Sequence, residues 1–199
     1  MISRRSISSF STRLCETRGV SLLELVIAMS LLALALGSIY AFVATGARSA
    51  RVTNEFVQTQ SQVRAALDAL VDEIRWAQMV TAAGATQVTL FVPQATPFSA
   101  ASPYTVTFAY DAATDTITRQ EDPDAGGPLP AGPPAPLASL VVRPDGGDGL
   151  ALEYFDAAGS SLGSTPVDLA SIVRIRITVT TTAGGVSRVF AGDVALRGR

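Results

Sequence analysis

The chain reads as an α+β protein: a long N-terminal helix, half transmembrane and half amphipathic, packed against an antiparallel β-sheet domain. Three observations predict it. Over residues 20–47 the only side chain charged at neutral pH is Glu24, no proline occurs before Pro93, and after Gly84 the hydrophobic period changes from that of a helix to that of a strand. The expected parts are a leader at 1–19, a transmembrane helix half at 20–47, an amphipathic helix half at 48–80, and a β-rich domain at 81–199 with a Pro/Gly-rich loop at 121–139.

Composition narrows the chemistry. The 199 residues carry 15 basic side chains, all arginine, and no histidine. A chain without Lys or His has no Ser-His-Asp triad, no Schiff-base or phosphate-loop lysine and no imidazole metal ligand. The single cysteine, Cys15, lies upstream of the apolar run, where it forms neither an internal disulfide nor a Cys-rich zinc site. No pair of acids lies in an evidently apolar setting, so an acid–base hydrolase has no support. No catalytic residue, metal site or cofactor is expected.

The first 19 residues hold Arg4, Arg5, Arg13 and Arg18 against one acid, Glu16, and have no core of their own. They read as a cytoplasmic leader. Removing four of the 15 Arg and one of the 17 acids leaves a net charge of about −5. The remainder is acidic, without the basic patch that nucleic-acid binding needs.

As a helix, residues 20–47 rise about 40 Å, enough to cross about 30 Å of hydrocarbon. The basic leader orients the segment with its N-terminus inside and the larger C-terminal part outside the cytoplasmic membrane, in the periplasm or beyond; Arg48 and Arg51 weaken that asymmetry without reversing it. A secretory signal would be cut after the apolar core, where Ala41, Ala44 and Gly46 supply small residues; the competing cut precedes it, at Gly19–Val20, and makes Glu24 the fifth residue of the mature chain. A charge at the centre of an isolated span costs about 2.5–3.5 kcal/mol, less near its end, so Glu24 asks for a cationic partner. The alternative is a plain N-terminal acid meeting the positive end of the helix dipole.

The helix is expected to run on from about Ser21 to about Met79, because Val52, Phe56, Val63, Leu67, Leu70 and Ile74 recur near helical spacing. Arg51, Glu55, Gln58, Gln62, Asp68, Asp72 and Arg75 make its solvated face. A sheet of the same chain or a coiled-coil partner must cover the apolar stripe. Strands are expected at QVTLFV (87–92), YTVTFAY (104–110), DTITRQ (115–120), SLVVR (139–143), LALEYF (150–155), IVRIRITVT (172–180) and SRVFAGDVAL (187–196). In the sixth, Val173, Ile175, Ile177 and Val179 share one face and Arg174, Arg176, Thr178 and Thr180 the other, so one side is buried. Trp76 is expected as a core residue under the sheet, with a partner contact as the alternative. Residues 121–139 read as a mobile surface loop. Asp145 and Asp148 sit in a glycine turn; calcium takes six to eight oxygens, and two acids are too few, so a plain turn is expected.

The stretch RGVSLLELVIAMSLLALALG (18–37) resembles the N-terminal signature of type IV prepilins and type II secretion pseudopilins: a basic leader ending in Gly, an apolar residue, a small hydroxyl residue, two aliphatics, Glu, then an unbroken apolar helix. It departs where the family usually has Phe and this chain has Val20. The resemblance implies a pilin-like fold, cutting by the prepilin peptidase after Gly19, N-methylation of Val20, and Glu24 as the assembly glutamate, paired in the filament with the amine of a neighbouring subunit. QVRAALDALVDEIRWA (62–77) and the ending IVRIRITVTTTAGGVSRVFAGDVALRGR (172–199) are similar to the pseudopilin J and pilin W group. Length, the irregular loop and the lack of a cysteine pair favour a minor over a major subunit. The implied function is a minor pilin or pseudopilin in the tip or initiation complex of a type IV pilus or a type II secretion pseudopilus, serving protein transport or filament assembly. Its partners would be the peptidase, other pilins or pseudopilins and inner-membrane lipid. The alternative is a single-pass anchored extracytoplasmic β-domain acting as a binding module or adhesin. Which machine is served, pilus, secretion pseudopilus or DNA-uptake filament, is set by partner genes.

Overall fold

The computed structural model describes residues 21–139, 141–183 and 185–197, apart from the side chains of Glu55 and Ala183. The protein is α+β: one long apolar helix, α1 (Leu22–Trp76), and two antiparallel sheets. It divides into two units, Met1–Arg48 and Ser49–Arg199.

In the first unit the described residues are helical from Leu22 onward, and every side chain is exposed. Ser21 caps the helix: its Oγ accepts the Glu24 amide at 3.1 Å and its carbonyl accepts the Leu25 amide at 3.0 Å. The hydroxyls along the apolar run turn back onto their own helix, Ser30 to the Val26 carbonyl and Thr45 to the Ala41 carbonyl, both at 2.8 Å. Each is thus satisfied without water, as hydrocarbon requires. The helix is long and apolar enough to cross a membrane.

In the second unit the remaining turns of α1 bury Val63, Ala66, Leu67, Leu70 and Ile74 against the sheets of the same chain. The sheets of the same chain cover this part of the stripe. Val52, nearer the apolar run, stays 42% exposed.

The first sheet is a meander of β1 (Met79–Ala83), β2 (Gln87–Val92), β3 (Tyr104–Asp111), β4 (Thr116–Asp122) and β5 (Ala135–Ala138), in that order. Alternation sets its faces: Val88, Leu90 and Val92 of β2 and Tyr104, Val106 and Phe108 of β3 point into the core. On the opposite face the paired Thr89 and Thr107 hydroxyls lie 2.9 Å apart. The second sheet contains β6 (Leu150–Phe155), β7 (Ser161–Gly163), β8 (Arg174–Ala183) and β9 (Val186–Ala195), in the order β7-β6-β8-β9. Ile175, Ile177 and Val179 of β8 are buried, while Arg176 faces out to Glu153 at 3.6 Å and Asp193 at 3.1 Å.

The two sheets are pinned together at the β1–β2 turn. The Tyr154 hydroxyl of β6 donates to the carbonyls of Gly84, at 2.9 Å, and Gln87, at 3.2 Å, and the Leu152 amide donates to the Ala85 carbonyl at 2.8 Å. Burial drives the Tyr154 phenol up to about 12, so it stays a neutral donor. Ahead of β6, Gly149 lies against the backbone of Val141 and Val142.

Strand β9 runs along α1 in the same direction. Arg188 stands over Phe56 at 5.6 Å, Phe190 under Arg64 at 5.7 Å, Gly192 beside Leu67 and Val71, and Arg197 over Trp76 at 4.7 Å. From Phe56 to Trp76 a helix rises about 30 Å, and an extended chain from Arg188 to Arg197 covers about as much. The lengths match, so contact is kept throughout. Gly192 marks the close approach, since a Cβ there would lie 3.2 Å from Val71 Cγ2.

Four local expectations change. The helix stops at Trp76 rather than near Met79, because the Gln78 amide already donates to the Phe91 carbonyl at 2.9 Å and Met79 opens β1. Trp76 packs against the core as expected but is only part-buried, with Arg197 over its ring. The 121–139 loop is narrower: Glu121 and Asp122 end β4, and 135–138 form β5, an edge strand that tolerates Pro136. Asp124 organises what lies between, taking the Gly127 amide on Oδ1 at 3.1 Å and the Leu129 amide on Oδ2 at 2.6 Å. In SLVVR the described residues form no named strand; Val142 makes a single bridge to Asp148.

Gly149 offers a direct test of the packing. A Cβ there would collide with the Val141 carbonyl and the Val142 amide, which are backbone and cannot swing aside. Gly149→Ala should cost about 2–3 kcal/mol, the range for overpacking, and lower the melting midpoint by roughly 5–10 °C. Gly84→Ala, whose Cβ would meet only the Gln87 carbonyl at 3.5 Å, should melt near wild type by circular dichroism.

Candidate functional site

Glu24 is the one functional candidate of the N-terminal signature that the structure places. Gly19 and Val20 lie outside the described residues. With Ser21 as the cap, Glu24 is the third helical residue, so its amide is tied to the Ser21 hydroxyl and its carboxylate sits in the first turn. That is the serine half of a capping box, and the unpaired amides of a helix start favour a negative charge there. The side chain is exposed and has no ion-pair partner among the described residues. It stands in the first turn of the apolar helix.

A second carboxylate, Glu73, was not singled out by the sequence. It is 1% exposed on the last full turn of α1. Arg119 of β4 meets it as a fork, Nε to Oε2 at 2.8 Å and Nη2 to Oε1 at 2.7 Å. The Tyr104 hydroxyl also donates to Oε1, at 3.1 Å. Beyond Arg119 the network continues to Glu121 Oε2 at 2.8 Å, and Glu121 Oε1 takes the Ser99 hydroxyl at 2.6 Å. Tyr104 in turn lies 2.8 Å from the Thr96 hydroxyl. Among the described residues no buried side-chain polar atom lacks a partner.

Electrostatics follow from this geometry. Hydrogen bonds from Arg119 to Glu73 raise the guanidinium pKa further above its ordinary value, against the cost of burial. Burial, with the neighbouring Glu73 charge adding to it, pushes the Tyr104 phenol up to about 12. Tyr104 is therefore a neutral donor at any physiological pH. Donors occupy both oxygens of Glu73, so the carboxylate is held as a fastening between helix and sheet, with no face open to a substrate proton.

The signal was present in the periodicity. Ala66, Leu70, Glu73 and Ala77 follow one another at helical spacing on the buried side, and Ile117, Arg119 and Glu121 alternate on one face of β4. An acid on an apolar stripe and an arginine two residues from a buried isoleucine each require the other.

Asp145 is already occupied, by Arg143 Nη2 at 3.0 Å and the Gly147 amide at 3.1 Å, in a turn where Gly146 has φ +74°. Among the described residues no three His, Cys, Asp or Glu side chains gather as a metal site.

Removing one partner of the buried pair leaves the other charge stranded. Arg119→Ala should therefore destabilise the domain by about 3–5 kcal/mol, whereas Glu73→Leu combined with Arg119→Met should recover most of that loss. Urea unfolding of the two variants, followed by circular dichroism, measures both. No protein-family model matches the chain, and no curated protein matches it.

Proposed function

We propose that the chain is a minor pilin or pseudopilin, a structural subunit with a pilin-like fold that enters the tip or initiation complex of a type IV pilus or type II secretion pseudopilus through its N-terminal helix. The observation that carries this reading is the junction RGVSLLEL, in which a basic leader ends at Gly19 and Glu24 falls in the first turn of an apolar helix capped by Ser21. A cut between Gly19 and Val20 creates a cationic amine one residue before that cap. The amine of one subunit and the carboxylate of the next then supply each other's counter-charge inside the packed helices, where neither is well tolerated alone.

The prepilin peptidase would act on Gly19–Val20 at the cytoplasmic face of the inner membrane, and Val20 would carry the methyl group. Assembly draws on the helix, and the β-rich domain remains on the far side, where it meets other minor and major subunits. Presence of Glu24 favours a position below the extreme tip, because a subunit with nothing ahead of it has no amine to pair with.

Gly19→Leu should abolish processing while leaving membrane insertion intact, since the span is unchanged; immunoblots of membranes read the size, and a variant still trimmed to mature length would refute cytoplasmic cleavage. Glu24→Leu makes the span more apolar, so the monomer should be at least as stable in the bilayer while incorporation into filaments falls. Pull-down of the filament complex measures it, and wild-type incorporation would remove the pairing. Mass spectrometry of the mature N-terminus from native membranes separates this reading from a solitary anchored module, which would not begin at a methylated Val20.

A further inference from the structure

At the C-terminal end of α1 an open cavity of about 670 Å³ lies between the helix, the connection from β2 to β3 and the end of β9. Trp76 and Phe98 give it aromatic walls, and Asp72, Arg75 and Arg197 line it as well. The Arg197 guanidinium lies 4.7 Å from the Trp76 ring centroid, exposed, and has no ion-pair partner among the described residues. Arg75 has only Asp72, at 3.3 Å, and the two side chains are 64% and 55% exposed. Such a pair is screened by water and readily exchanged. These two cations stand out, because residues 49–199 hold 10 Arg against 15 acids.

We propose that this cavity binds a peptide segment of a partner protein in which a carboxylate side chain lies beside an aromatic or large aliphatic one. The volume falls within the range of about 300–1,000 Å³ usual for ligand sites. A guanidinium stacked on an indole keeps its N–H edge free, and that planar edge matches a carboxylate with two parallel hydrogen bonds. Trp76 and Phe98 offer apolar surface to the neighbouring side chain. A purely apolar segment would leave Arg197 unused, and a bare carboxylate would leave the aromatic walls wet. The combination of one anion with one apolar group uses both. The proposal goes beyond filament membership and does not rest on Gly19, Val20 or Glu24.

Trp76 is the only tryptophan of the chain, so emission excited beyond the absorption of its four tyrosines reports this cavity alone. The full-length protein in detergent is titrated with a blocked hexapeptide, Gly-Ser-Phe-Glu-Ser-Gly, free of tryptophan. A saturable change in Trp76 emission is expected, weakened by added salt. Changing Glu to Gln or Phe to Ala in the peptide should each weaken binding about tenfold, and so should Arg197→Gln or Phe98→Ala in the protein, with melting curves unchanged. No saturable response, or an equal response to the Gln peptide or from the Arg197→Gln protein, overturns the proposal. Two further results would also overturn it. If deletion of residues 198 and 199 shifts the emission without peptide and removes the response, the occupant is the chain's own tail. If emission depends on protein concentration alone, the occupant is a second copy.

Discussion

A carboxylate drawn into an apolar interface must bring its counter-charge along, and the surroundings of Glu73 are arranged to meet that demand. Its fork to Arg119, with bonds of 2.7 and 2.8 Å, joins the last turns of α1 to the fourth strand of the first sheet. A stripe of Val, Leu and Ile tolerates sliding and rotation, because dispersion contacts are individually weak and interchangeable. A planar two-bond fork does not. One interaction therefore fixes the rotation of the helix on the sheet, and with it which helix face stays in solvent. The demand then spreads outward: Arg119 needs Glu121, Glu121 takes Ser99, and Tyr104 divides its hydroxyl between Glu73 and Thr96.

Much of the architecture was legible where one physical rule acted alone. Period-two alternation located β2 and β6 to the residue and placed Ile175, Ile177 and Val179 on the buried face of β8. The unbroken apolar run located the helix. The misses share a cause, in that partners distant in sequence decided them. MVTAA of β1 contains Met and two Ala, good helix formers, and becomes a strand because β2 offers it a free edge. APLA of β5 lay inside a Pro-rich stretch and pairs with β4 because an edge strand needs amides on one side only. At three residues, β7 is too short to show a period.

The candidate site divides in the same way. Glu24 is conspicuous in sequence because it is the one charge in a long apolar run, and the capped first turn gives it a defined place. Glu73 hid among Asp72, Arg75 and Asp68, whose side chains are exposed, and a charged residue among charged residues reads as solvated face. Only the spacing to Leu70 and Ala77 set it apart. Trp76 misled for the opposite reason: size argued for full burial, whereas Arg197 covers one ring face and leaves the indole part-exposed.

The alignment of β9 with α1 bears on the order in which the chain can fold as it is made. The helix is synthesised well before the strand that runs along it. Between them more than a hundred residues must emerge before Phe190 can reach Arg64 or Gly192 can settle on Leu67. Until then part of the apolar stripe has no cover from its own sequence. Contacts of such separation are slow to form, and a nascent chain in that interval presents a sticky helix flank to whatever is near. The interval before β9 is complete, and not only the final stability, is thus a stage at which the helix flank gains from being shielded.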